Sequence, residues 1–395
     1  MQSAERSLMK AIVHGTLLLD GREIDGRAIL FDEMIRGIIP PRDLPEDCEQ
    51  IDAHGLYVSP GLIDLHIHGY LGEDASDGSE NGLRIMAEGL LKNGVTAFLP
   101  TTMTVRWEEI EKALTVIRTL KRLSVNRDFL GSEILGVHME GPFVNPSRKG
   151  AQVEEAMIPP DADKVLILGG IVRIITIAPE MPDGLQFIRR IKNESDIVVS
   201  IGHSDASYEL AMKAIAAGAS HITHLFNAMS GMNHRAPGVV GAALTAPVSC
   251  ELIADTFHVH PGLFGLLAGI KRDLLVLVTD CTRAGGLGDG DYTLGGQDIH
   301  VEGIQCRLKD GTIAGSVLKL NEAVRNIRDH AGITTAEAIQ FASQNAAKAI
   351  HAEKEKGSLQ PGKDADIVLF DQELNARSVF IRGHLKFHQP STGKM

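Results

Sequence analysis

With 395 residues, 44% of them apolar and 23% charged, the chain has the composition of a globular protein and is long enough for one large core and a smaller one. A formal net charge of −12 and an aromatic content of 4% argue against a nucleic-acid binder, since a phosphate backbone would meet a repelling field and few rings to stack on. The four cysteines (Cys48, Cys250, Cys281, Cys306) are scattered without a Cys-x-x-Cys pair, which argues against a zinc ribbon or disulfide framework and fits a reducing compartment.

Residues 1–10 are polar and mixed in charge, unlike a signal sequence. No apolar run approaches the roughly 18 residues of a membrane span, so a cytoplasmic setting without a membrane partner is expected. Residues 10–58 read as short strands with turns: Ala11–Leu19, a turn at Asp20-Gly21, Arg27–Phe31 and Ile35–Ile39. The texture returns at Asp366–Phe370 and Ser378–Ile381. Isolated hairpins are marginal in water, so the two ends (1–58 and 355–395) are expected to form one small β-sandwich-like domain.

The middle, 59–354, has another rhythm. Strand-like runs recur at Leu62–His68, Val95–Thr101, Ile134–Glu140, Val172–Ala178, Ile197–Gly202, His221–Phe226, Glu251–Asp255 and Leu274–Thr279. Helix-like segments lie between most of them: Asn81–Asn93, Arg106–Arg122, Asp183–Asn193, Ala206–Ala217 and Pro261–Lys271. Eightfold strand–helix alternation predicts an α/β fold, a (β/α)8 TIM barrel, whose catalytic groups gather at the carboxyl ends of the strands. Polar residues are concentrated at those ends. Beyond the eighth strand, Gly285–Gly296 reads as a loop or lid and matches neither a dinucleotide fingerprint nor a P-loop. Strands at Asp298–Val301 and Cys306–Lys309, a turn at Asp310-Gly311, and helices near Lys319–His330 and Thr335–Ile350 complete the barrel region.

In Gly61–Gly69, Ile63, Leu65 and Ile67 alternate with Asp64, His66 and His68. That period of two puts both imidazoles on one face of a strand. A lone His-x-His is weak evidence, because paired histidines are often ordinary polar-face residues. It gains weight from Glu140 on strand three, His203 on five, His224 on six and Asp280 on eight. A hydrolytic metal centre needs ligands from several strands, an open position for water and a base beside it. The imidazole and carboxylate mix suits one or two divalent ions of the Zn, Fe or Mn type. Glu140 is the natural bridge between two ions, and Asp280 the natural general base and then acid. Asp64 reads as support for the site, His138 as a neighbour of Glu140 that is not a ligand, and His221 as packing or a local hydrogen bond. The barrel motifs need no nucleophile from Cys281.

The strand-one His-x-His with an aspartate on strand eight resembles the amidohydrolase superfamily. The runs His138-Met139-Glu140-Gly141-Pro142-Phe143, Gly202-His203-Ser204, Thr223-His224-Leu225-Phe226-Asn227-Ala228-Met229 and Val278-Thr279-Asp280, in this order, resemble its N-acetylhexosamine-6-phosphate deacetylases over nearly the whole chain. The resemblance implies removal of acetate from N-acetylglucosamine 6-phosphate in amino-sugar catabolism, by a homodimer. It implies Glu140, His203 and His224 as the common metal ligands, His66 and His68 as a second position kept by only some members, and Asp280 as acid/base. Arg235, reaching across the dimer, and His258 would hold the phosphate. Asn227, Ala228, Ala314, Gly315 and Ser316 would contact the sugar, with Asp255 grouped beside His258. Ala151 and Gln152 stand where many members have a histidine that polarises the acetyl carbonyl, which is a departure, because an amide brings no positive charge. The rivals are the galactosamine epimer, another amidohydrolase reaction such as cyclic-amide hydrolysis or deamination, and an inactive barrel scaffold. The second lacks a strand-four lysine, and the third would need none of these residues.

Overall fold

The computed structural model describes residues 9–389. The expected barrel is present, with strands β1 (Leu62–Ile67), β2 (Val95–Thr102), β3 (Val137–Glu140), β4 (Val172–Ile177), β5 (Val198–Ile201), β6 (His221–Ile222), β7 (Ser249–Ile253) and β8 (Leu275–Val278). Neighbours from β1 to β8 pair in parallel order. Every residue of these strands but Arg173 is buried; β4, β5 and β8 accordingly read as nearly continuous Val/Ile/Leu runs, and the polar alternates of β1 are buried as well rather than half exposed.

The seam between β8 and β1 closes mostly beyond the strands. The Asp280 N–H donates to the His66 carbonyl at 2.8 Å, and the His68 N–H to the Cys281 carbonyl at 2.9 Å. Asp64 completes the seam by accepting from Thr279 Oγ1 at 2.7 Å. Among the described residues it makes no hydrogen bond to an imidazole ring, so its support is a staple across the closure. Burial pushes its pKa up to about 7, against the hydrogen bonds from Thr279.

The chain ends build two sheets. One contains Lys10–Val13, Ala28–Phe31, Ile35–Ile39 and Glu49–Asp52, and the other Thr16–Leu19, Arg22–Ile24, Tyr57–Pro60, Ile367–Phe370, Ala376–Ile381 and His384–His388. Ile12, Leu17, Ile29, Phe31, Ile367 and Phe380 pack together between them. The outer parts of the expected domain limits, 1–8 and 390–395, lie outside the described residues. Beside the amino end of β3, Lys356 joins this domain to the barrel. Its Nζ lies 2.9 Å from Glu133, 3.0 Å from Asp364 and 2.8 Å from Asp366, and Arg382 reaches Asp364 at 3.2 Å. Burial opposes the lysine charge, but Asp366, Glu133 and Asp364 raise its pKa above the ordinary value.

Three stretches differ from the sequence reading. Gly285–Gly296 is not all loop: Gly290–Leu294 is a strand paired antiparallel with Gln297–Glu302. Gly295 and Gly296 make the turn at φ 56° and 81°, the left-handed pair that a two-residue hairpin requires. With Gln305–Leu308 this sheet packs Leu294 against Met103, Ala151 and Ala314 over the barrel mouth. Helices Ala162–Leu168 and Gly238–Thr245 were not expected. The second is buried almost all round and shows no polar face to read. The segment read as one helix over Thr335–Ile350 is two, Thr335–Phe341 and Gln344–Ala349, the first begun by a Thr334–Glu337 capping box. Among the described residues no helix is long and apolar enough to cross a membrane.

Candidate metal centre

At the carboxyl ends of the strands, six predicted residues from five strands converge, all buried: His66, His68, Glu140, His203, His224 and Asp280. Local backbone explains how. β6 stops after Ile222, and His224 takes φ 30°. His203 and Asp280 adopt φ 48° and 49°. Each of the three stands two residues beyond its strand, in a left-handed conformation that is unfavourable for side chains with a Cβ. The bend turns the side chain to the barrel axis instead of continuing the alternation.

The imidazoles are oriented from behind. His66 Nδ1 lies 2.9 Å from Glu251 Oε2, His68 Nδ1 3.2 Å from the Thr101 carbonyl, and His203 Nδ1 2.9 Å from the Arg148 carbonyl. These partners only accept, so each Nδ1 carries a proton and Nε2 is left as the ligating atom. Among the described residues His224 Nδ1 has no partner. The Nε2 atoms face one another, with His66–His68 at 3.2 Å and His203–His224 at 3.1 Å. Glu140 lies between the pairs, with Oε1 2.9 Å from His224 and 3.1 Å from His203, and Oε2 3.1 Å from His68. Asp280 Oδ1 is 3.2 Å from His68 and 3.5 Å from His66.

The electrostatics demand positive charge at this point. Burial would push Glu140 up, but His66 and His203 hold it well below the usual carboxylate range. Asp280 is lowered in the same way, against burial, by His66 and His68. In turn Asp280 and Glu140, overcoming burial, raise His68 to about 9, and Glu140, Glu251 and Asp280 raise His66 well above its ordinary value. Among the described residues three groups of three donors each have their ligand atoms within 4.8 Å of one another: His66/His68/Asp280 and Glu140/His203/His224 at the mouth, and His66/His138/Glu251, whose atoms are engaged in hydrogen bonds to one another or to neighbouring side chains and backbone. Lone pairs at about 3 Å repel unless a proton or cation lies between them. Imidazole and carboxylate together suit Zn²⁺, Fe²⁺ or Mn²⁺, so the residues present fit one or two divalent ions.

A cavity of about 340 Å³ opens above this cluster, lined also by Gln152, Asn227, Ala228, His258 and Gly315, with Ala151 at its wall. Gln152 Nε2 donates to Glu140 Oε2 at 2.5 Å, while its Oε1 accepts from the Thr104 N–H at 2.7 Å. That pairing fixes which end of the amide faces the centre. Asp255 stands behind the cavity and grips His258 Nδ1 at 2.6 Å. Ala314 and Ser316 are buried behind Gly315, where Ser316 donates from Oγ to the Thr279 carbonyl and from N to the Asp280 carbonyl. Arg235 is exposed on the Asn233–Ala236 turn and does not line its own chain's cavity.

His138 and His221 are engaged in hydrogen bonds away from the mouth. His138 bonds Leu65 O and Thr176 Oγ1; burial and the neighbouring His66 push its pKa down to about 3. His221 bonds Ser249 and Glu251. Burial drives the Cys281 thiol well above its usual value, which suits a packing group rather than a nucleophile. The residue that sequence reading missed is Glu251, a single carboxylate in the apolar run of β7. A buried charge requires partners, and that was the available signal.

The family model described as the amidohydrolase family matches residues 57–386. An N-acetylglucosamine-6-phosphate deacetylase of Bacillus subtilis (strain 168) is 43% identical over 335 residues, 83% of this chain and 84% of that one. An N-acetylgalactosamine-6-phosphate deacetylase of Escherichia coli O157:H7 is 36% identical over 368 residues, 91% of this chain and 94% of that one. The crystal structure of N-acetylglucosamine-6-phosphate deacetylase from Pasteurella multocida superposes with a TM-score of 0.90 at 32% identity, covering 96% of this chain and 99% of that one.

Proposed function

The chain belongs to the amidohydrolase family, and we propose that it hydrolyses the acetamide of N-acetylglucosamine 6-phosphate, releasing acetate and glucosamine 6-phosphate. The observation that carries this reading is the meeting of two three-donor groups on Glu140 at the floor of a sugar-sized cavity. The similarity to sugar-phosphate deacetylases along most of the chain supports the substrate.

Glu140, His203 and His224 would hold one divalent ion, and His66, His68 and Asp280 a second. A bound ion of this kind supplies Lewis acidity, lowering the pKa of water from 15.7 toward about 7 and polarising a carbonyl. Asp280 takes the proton from water as its oxygen adds to the acetyl carbon. It then passes that proton to the sugar nitrogen as the C–N bond breaks, because the amine cannot leave unprotonated. Gln152 has one amide proton on Glu140 and a second free for the developing oxyanion, a neutral donor in a dry site. His258, held by Asp255, would bind the phosphate together with Arg235 from a second copy in a homodimer. Charge-assisted hydrogen bonds of this type contribute about 1.5–3 kcal/mol each and orient the amide remote from the phosphate. Four free cysteines, three of them buried, support a reducing, cytoplasmic setting.

A second reading, the galactosamine epimer, is favoured by the similarity to the Escherichia coli protein. The test offers metal-loaded protein the 6-phosphates of N-acetylated glucosamine, galactosamine and mannosamine, and unphosphorylated N-acetylglucosamine, with acetate release as readout. The glucosamine 6-phosphate should have the highest kcat/KM. A higher value for the galactosamine epimer would replace the first reading with the second, and equal rates without phosphate would remove the role given to His258 and Arg235.

A further inference from the structure

Glu251, on β7, is fully buried and accepts three hydrogen bonds. Oε2 takes one from His66 Nδ1 at 2.9 Å and one from the backbone N–H of His224 at 3.0 Å, and Oε1 takes one from His221 Nε2 at 3.1 Å. A carboxylate has no proton to give, so its contact with His66 requires a proton on Nδ1 and, of the two neutral tautomers, selects the one with the lone pair on Nε2. The His224 N–H sits where β6 has ended and φ is 30°, so Glu251 supplies the partner that a continuing strand ladder would have provided. At the mouth, His66 belongs to one donor group and His224 to the other.

We infer that Glu251 is a positioning residue that sets both halves of the metal centre at once, fixing the tautomer of His66 and the bend that presents His224. The inference rests on the metal-dependent reading above. Two substitutions of similar length separate it from a volume-filling role. Glu251→Met leaves both donors without an acceptor. Glu251→Gln keeps one acceptor for them, provided that His221 moves its proton to Nδ1 and directs it at Ser249 Oγ, 2.5 Å away.

Zinc titration of the metal-free proteins, read by calorimetry and by bound zinc per subunit, should show Glu251→Met weakened by about 10–100-fold, the range for lost ligand-orienting partners. Glu251→Gln should fall between it and wild type. Should the variants fail to fold, the zinc-loaded wild type still decides: imidazole ¹⁵N resonances must place the His66 proton on Nδ1. Wild-type affinity in both variants, equal losses in the two, or a proton on His66 Nε2 would overturn this inference alone. A wild type that takes up no zinc would overturn it together with the metal-dependent reading.

Discussion

Two clusters of buried charge stand at opposite ends of the barrel, and they are built on different terms. Around Lys356, beside the amino end of β3, each cation has a carboxylate within hydrogen-bond distance. Around Glu140, at the carboxyl ends, four imidazoles point Nε2 atoms at one another across 3.1–3.2 Å. The first cluster is saturated by the protein; the second has ligating capacity to spare. Burial of charge by itself marks neither structure nor chemistry. Unused coordination does.

Chelation should therefore strike only one cluster. Removing divalent ions should abolish acetate release and restoring zinc should return it; full turnover in chelator would break the comparison outright. Next in size, Asp280→Asn should lower kcat by about 10²–10⁴-fold, the usual worth of a positioned acid–base group. Normal turnover in that variant would move the proton transfer elsewhere. Lys356→Met should instead cost about 3–5 kcal/mol of stability by leaving carboxylates unpaired, with kcat of the folded enzyme unchanged, as urea unfolding and cold assays would show. Because the lysine pKa is raised on folding, its contribution is complete below the ordinary lysine value of about 10.4 and is lost only as pH climbs through the raised one. The stability gap between wild type and variant should therefore be flat from about pH 6 to 9.

The smallest expected effect concerns a third kind of buried group. Burial raises Cys250 and Cys306 to about 12 and also holds Cys281 well above the ordinary thiol value, so these thiols stay protonated at pH 8. A thiol reagent should label Cys48 alone in the native protein and all four cysteines in denaturant. Native labelling of Cys281, next to Asp280, would show a more open mouth.

The candidate metal ligands were legible because barrel strands announce themselves as apolar runs and their ends are short and countable. His66, Glu140, His203, His224 and Asp280 stand out as polar residues at those ends. Glu251 was not legible in this way, since its partners His66 and His221 lie 185 and 30 residues distant and only the closed barrel brings them together. The Lys356 cluster was hidden for the same reason. Helix Gly238–Thr245 escaped because a segment buried on nearly every side has no periodicity to detect. Gly290–Leu294 escaped because its neighbouring glycines read as loop, although they form the hairpin turn that makes the strand possible.

The left-handed backbone at His203, His224 and Asp280 has a bearing on how this protein can fail. At each position the main chain asks for glycine and the proposed reaction asks for an imidazole or an acid, at a conformational cost of about 1–2 kcal/mol per residue. Glycine at any of the three would suit the main chain there and remove one donor of the candidate metal centre. Inactive descendants of this sequence can therefore persist as well-folded barrels, and a sound fold is no guarantee of a working mouth.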